Sequence, residues 1–200
     1  MARDPATLIV TVEAYLSELR RIRASGGATG ERSSYPALNG LFSSVGGTLK
    51  PKVFCVQEVA DQGAGHPDFG LYAANQVQRR NPRRGQIPAC GVVEVKPADD
   101  DAWLTAEGDQ VSRYWEKYRL VLVTNTRDFV LVGEGPQGKP VPLETFRLAE
   151  SEEAFNNMLL RPRASARVVG AGLGEYLRRV LSHRATLSDP GDLAWLLASY

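Results

Sequence analysis

The sequence predicts an α/β fold (α+β in the segregation of its elements): a mixed central sheet flanked by helices and followed by a C-terminal helical segment. Three observations predict it. Apolar residues recur at helical spacing over the first 45 positions. Short runs rich in valine and aromatic residues then follow one another from Lys52 to Glu134, with one helical stretch among them. Helical spacing returns from Leu143 onward. Together these give the order α-α-β-β-β-α-β-β, then helices.

Asp4-Pro5 suits a helix start, an acid at the cap followed by proline in the first turn. Leu8, Ile9, Val12, Leu16, Leu19 and Ile22 then mark one helical face. "ASGGATG", Ala24 to Gly30, stops that helix. A second helix is expected from near Glu31, with Tyr35, Leu38, Leu41, Phe42 and Val45 on one side and Pro36 tolerated in its first turn. "VGGTLKP" ends it.

The strand candidates are "KVFCVQEV" (Lys52 to Val59), "PDFGLYAA", "ACGVVEVK" (Ala89 to Lys96) and "LVLVTNTRDFVLVGE" (Leu120 to Glu134), the last read as two strands about a tight "TNTRD" turn. "DAWLTAEGDQVSRYWEKY" reads as a helix that Gly108 weakens. Beyond Leu143, "LAESEEAFNNMLL", "GEYLRRVLSH" and "SDPGDLAWLLASY" read as helices. The last reaches Tyr200 with no terminating glycine, which suggests a segment of a longer protein. The expected division is 1–142 for the sheet-bearing domain and 143–200 for a helical connector.

Composition narrows the function classes. With 43% hydrophobic and 24% charged residues the chain is an ordinary globular one, neither a disordered tail nor a membrane protein. No signal peptide or membrane span is read. Cys55 and Cys90 fit no metal spacing; they suggest packing roles and a reducing, cytoplasmic setting. A net charge of +1 makes no bulk electrostatic case for a nucleic-acid partner, so any such contact rests on a local basic surface.

The chemistry concentrates in "GHPDFGLY" and "CGVVEVKPADDD". Strand side chains alternate faces, so Glu94 and Lys96 point one way and Val93 and Val95 the other. Pairing of the "PDFGLY" strand with the "VVEVK" strand sets Asp68 beside Glu94. Two carboxylates suit a hard cation such as magnesium, which keeps several waters. A metal there acidifies water and offsets phosphate charge, while Lys96 orients the water or stabilises developing negative charge. This division of labour suits phosphodiester hydrolysis.

An acid opening one strand and acid-x-Lys on the next resembles the PD-(D/E)xK nuclease signature. "QVSRY", Gln110 to Tyr114, is similar to the Q-x-x-x-Y element of RecB-like members, and Glu31 stands where many members carry a further acid that supports the metal. More widely, "ERSSYPALNGLF", "HPDFGLY", "VEVKP" and "DQVSRYWEKYRLVLVTNTRDFVLVG" resemble the N-terminal nuclease domain of single-chain restriction-modification enzymes. The resemblance implies a restriction-endonuclease-like fold and a magnesium-dependent endonuclease acting on double-stranded DNA. In the rest of the parent chain it implies an adenine-type DNA methyltransferase using S-adenosylmethionine and a target-recognition domain. Asp68 and Glu94, with Glu31 in support, are the implied metal ligands, and Lys96 and Gln110 complete the catalytic set. The segment from Asp68 to Glu94 is longer than a tight hairpin needs.

Plainer readings stand beside these. Glu31 also suits a helix N-terminus through the dipole. Gln110 and Tyr114 lie one turn apart and are read as part of the site, beside a packing role. Arg79, Arg80, Arg83 and Arg84 in "QVQRRNPRRGQ" belong either to a solvated loop or to phosphate contacts. His66 is read as a turn residue and His183 as a surface residue without a partner. "VVGAGLGEYL" has the GxGxG of a nucleotide cradle but no following strand, so it is read as a connector loop. No [DNS]PP[YFW] tetrapeptide is present, so this segment is not expected to methylate DNA. "KPADDD" reads as an exposed loop. The alternatives to a restriction nuclease are a catalytically silent, nuclease-like module that positions a methyltransferase on DNA, and a DNA-repair nuclease.

Overall fold

A computed structural model describes residues 5–25 and 31–184. The elements are α1 (Pro5–Ala24), a 3-10 turn (Glu31–Ser34), α2 (Tyr35–Gly46), β1 (Val53–Gln57), β2 (Phe69–Ala73), the short ribbon β3 (Val77–Gln78) and β4 (Asn81–Pro82), β5 (Val92–Val95), α3 (Ala102–Ala106), α4 (Asp109–Tyr118), β6 (Val121–Thr124), β7 (Asp128–Glu134), β8 (Pro140–Arg147), α5 (Glu152–Leu160) and α6 (Pro162–Ser182). The main sheet has the order β1-β2-β5-β6-β7-β8. Every neighbouring pair is antiparallel except β5 and β6. Parallel neighbours need a crossover, and α3 and α4 supply it. This six-stranded mixed sheet flanked by helices, with helices closing the chain, is the restriction-endonuclease-like arrangement the sequence predicts.

Period-two alternation makes the sheet apolar on both faces. Phe69, Leu71, Val93, Val95, Leu122, Phe129 and Leu131 face one core with α1, α2, α5 and α6. Val92, Val121, Val123, Val130 and Val132 face the other, under Val111, Tyr114, Trp115 and Tyr118 of α4 and Ala102 and Ala106 of α3. Of the expected α1 face, Leu8, Val12, Leu16 and Leu19 are buried and Ile9 and Ile22 half-buried, and Tyr15 joins the buried set. The stretch weakened by Gly108 divides there into α3 and α4.

Three expectations are corrected. Residues 140–147 form a strand, not the start of a helical segment, so the division expected after Pro142 falls inside β8. The sequence of β8 hides this: Pro140 and Pro142 suit only a sheet edge, and half its residues face solvent. "VVGAGLG" is the interior of α6, not a connector loop. A Cβ on Gly174 would lie 2.7 Å from Leu8 Cβ, and one on Gly170 3.0 Å from Ile9 Cα. These glycines let α6 lie close against α1. His183 does have a partner, with Nε2 3.2 Å from Glu144 Oε1. The helix expected in "SDPGDLAWLLASY" lies outside the described residues.

No helix among the described residues is long and apolar enough to cross a membrane.

Candidate active site

The β2–β5 ladder runs through Gly70–Val92 and Phe69–Val93. Asp68 immediately precedes β2, and Glu94 lies in β5 one residue beyond the last ladder pair. Alternation along β5 puts Glu94 on the side of Val92, under α4, with Lys96 following on the same side. The main chain of β5 holds Asp68: Val95 N–H donates to Asp68 Oδ2 at 2.7 Å. The other carboxylate oxygen, Oδ1, accepts a short hydrogen bond from the Tyr35 hydroxyl. Tyr35 sits in the first turn of α2, and its ring packs on Phe69, centroids 5.1 Å apart. Both conformational freedoms of the Asp68 side chain are thus fixed from outside its own strand.

Lys96 leaves the end of β5, where its N–H donates to Thr124 O at 2.8 Å. Its Nζ donates to Glu94 Oε1 at 2.7 Å and to Gln110 Oε1 at 3.2 Å. Gln110 in turn donates through Nε2 to the Tyr114 hydroxyl at 3.2 Å, one turn along α4. Of the sequence-predicted residues, Glu94, Lys96, Gln110 and Tyr114 form one hydrogen-bonded chain, and Asp68 stands near enough for its charge to act on Lys96 and Tyr114. Asn125, in the turn after β6, ties down the loop beyond Lys96 by donating to Asp100 O at 2.8 Å.

Electrostatics follow from burial. Glu94 is 2% exposed, so the adjacent Lys96 ammonium is its compensating charge. Burial pushes the Asp68 carboxyl above its ordinary range, against the hydrogen bonds from Tyr35 and Val95 and the positive charges of Lys96 and Arg32. Burial also raises the Tyr114 hydroxyl, with the Glu94 and Asp68 charges adding to it.

The donor chemistry fits a hard divalent cation: Asp68 and Glu94 both offer carboxylate oxygens, and hard oxygens are what such an ion takes. Among the described residues no group of three or more His, Cys, Asp or Glu is placed to hold a metal. An ion here would therefore take two side-chain carboxylates and complete its shell with water, as magnesium commonly does. Beside Asp68 opens a cleft of about 270 Å³, lined by Arg32, Tyr35, Glu58 and His66 among others. His66, read from sequence as a turn residue, stands at this mouth.

Other expectations part from the cluster. Glu31 opens the 3-10 turn before α2, and its side chain lies outside the described residues. Arg79, Arg80, Arg83 and Arg84 follow the end of β2 and precede β5, at the opposite end of that ladder from Asp68 and Lys96. Arg79 and Arg80 form the two-residue tip of the β3–β4 ribbon with φ of 49° and 69°. Gln76 fastens its base, accepting from Ala73 N and Ala89 N and donating to Ile87 O. Asp101 of "KPADDD" caps α3 by accepting from Trp103 N at 2.7 Å. Tyr35 was not singled out from sequence for this cluster, because its spacing marks only a core position; its hydroxyl gives no periodic signal.

No family model matches this chain, and no curated protein matches it. A solved structure does. The cryoEM structure of the DrdV–DNA complex is similar in fold, with a TM-score of 0.51 at 19% sequence identity over 78% of this chain. The chain spans 14% of the length of the DrdV chain.

Proposed function

We propose that this chain is a magnesium-dependent DNA endonuclease domain of the restriction type. The observation that carries the reading is that Asp68 lies where β2 begins and Glu94 and Lys96 where β5 ends, with Asp68 bound by the Val95 amide and Lys96 by Glu94. The likeness to a DNA-bound structure, at the level of fold, supports it. The further domains implied by the sequence resemblance are an adenine-type methyltransferase, which would use S-adenosylmethionine, and a target-recognition domain.

Asp68 and Glu94 would hold the ion, and magnesium there would supply an acidified water and charge to offset the phosphate. Asp68 is presented in one orientation by Tyr35 and the Val95 amide. Glu94 and Gln110 hold the Lys96 ammonium in place. From there Lys96 Nζ stabilises the negative charge that develops on the phosphate as one P–O bond forms to water and another breaks. Burial of Glu94 and the apolar layer of α4 keep these charges in a low-dielectric setting, where they act strongly.

The test is cleavage of duplex DNA by the 200-residue chain with magnesium. Wild type should cut, chelation should stop it, and Lys96→Ala should lower the rate about 10²–10³-fold with an unchanged circular-dichroism spectrum. Cutting that persists in Lys96→Ala would refute the assignment of this residue. DNA binding without any cutting would favour the silent positioning module.

A further inference from the structure

The helical layer on the far side of the sheet carries a second charged feature that the cleavage chemistry does not use. Arg20 of α1 and Arg161, Arg163 and Arg167 around the start of α6 surround an open groove of about 610 Å³, with Leu160 and Pro162 also in its lining. All four arginines are exposed. No acidic residue lines the groove among the described residues. Among the described residues none of the four enters an ion pair. Other arginines of the same two helices are paired: Arg21 with Glu18, Arg178 with Glu175, and Arg179 with Glu144 across to β8. The net charge of the whole chain is only +1. The groove is therefore a local concentration of uncompensated positive charge, not a sample of a basic surface.

Four guanidiniums gathered on one trough repel one another unless an anion joins them. Guanidinium forks match phosphate oxygens two at a time, and arginine is the residue type that makes that contact. At the same place α6 begins with no side-chain cap on its first turn, so the positive end of its dipole adds to the field. The trough is open and far larger than a single phosphate, and its arginines come from two helices, which fits a run of phosphates. Tyr15, five residues before Arg20, donates to Thr126 O just past β6, beside the point where Lys96 leaves the sheet. Through α1 the groove is joined to the sheet end that carries Asp68, Glu94 and Lys96.

We propose that this groove binds the phosphate backbone of duplex DNA, a sequence-independent contact made away from the cleavage centre. The choice of DNA as the source of the phosphates rests on the nuclease reading; the anion site rests on the groove itself.

The experiment is fluorescence anisotropy of a labelled duplex with the full chain in EDTA, over a range of salt concentrations. Arg163→Ala with Arg167→Ala removes two exposed side chains, and a thermal melt checks that the fold is kept. Binding should weaken roughly tenfold for every duplex sequence. The slope of log K against log salt should fall by about 1.8, near 0.9 for each phosphate that is no longer neutralised. Unchanged affinity and slope would overturn the proposal, as would a wild type that binds no duplex. Tripolyphosphate is the second probe. If it binds wild type but not the double variant, while duplex binding ignores the substitutions, the groove takes a free polyphosphate and the DNA assignment is overturned. Cleavage with magnesium is scored separately, so failure of the nuclease reading and failure of the groove proposal give different results.

Discussion

Glu94 and Lys96 stand two residues apart at the end of β5, and Lys96 Nζ donates to Glu94 Oε1. Glu94 lies on the Val92 side of β5, under α4, and is buried there rather than lying on an open surface. A carboxylate in such a place needs its countercharge, and Lys96 Nζ at 2.7 Å supplies it.

Glu94 and Lys96 should therefore be strongly coupled in stability. Lys96→Met leaves a buried carboxylate without its ammonium, and breaking a buried pair from one side costs about 3–5 kcal/mol. Glu94→Gln leaves the ammonium 19% exposed, so its cost is smaller. The double variant should be more stable than the sum of the singles predicts, by about 0.5–3 kcal/mol. Urea unfolding of all four proteins measures this; strict additivity would show that the pair does not act as a unit.

Metal binding should appear as thermal stabilisation that depends on Asp68. At magnesium concentrations a hundredfold above Kd, binding to the native state adds about 2.7 kcal/mol. For a chain of this size that is about 5–10 °C in Tm. Asp68→Asn keeps an acceptor for the Val95 amide and a partner for Tyr35 but removes the charge. Its Tm should be insensitive to magnesium. A calorimetric scan with and without the ion decides between the two.

How much of this was legible in the sequence depends on which physical signal each element leaves. The Glu94–Lys96 contact was legible because strand periodicity alone puts residues two apart on one side. Gln110 and Tyr114 were legible because one helical turn sets them side by side. Tyr35 was not, since a hydroxyl reaching across to another element leaves no trace in spacing. β8 was missed because an edge strand tolerates Pro140 and Pro142 and need not be apolar on both sides. Gly170, Gly172 and Gly174 were read as a loop because glycine disfavours helices locally; two of them serve tertiary contact with α1, which overrides propensity.

Those glycines make opposite predictions within one turn of helix. A Cβ at Gly172 would meet only the Phe146 ring, at 3.4 Å, an ordinary contact. Gly172→Ala should gain helix propensity and stabilise the protein by about 0.5–1 kcal/mol. At Gly174 the Cβ would approach Leu8 Cβ at 2.7 Å. Gly174→Ala should force α1 and α6 apart and destabilise by about 1–3 kcal/mol. Chemical denaturation of the two variants measures both. A stabilising Gly174→Ala would mean that the helices are not held at this distance.

The arginine-tipped ribbon sets stability against function. A two-residue hairpin with both tip residues at positive φ is the place where Asn-Gly is preferred. Arg79 and Arg80 occupy it at φ of 49° and 69°, and side-chain-bearing residues held there cost about 1 kcal/mol or more each. Gln76 fixes the base of the ribbon, so the tip is presented rather than loose. Arg79→Asn with Arg80→Gly should therefore stabilise the fold by about 1 kcal/mol, seen as a higher urea midpoint with unchanged slope. If the tip reaches DNA phosphates, the same variant should bind duplex more weakly and with a salt slope lower by about 1.8. Gain of stability with unchanged binding would assign Arg79 and Arg80 to a solvated loop. Weaker binding would make the strained tip a second backbone contact, at the end of the β2–β5 ladder opposite the cleavage centre.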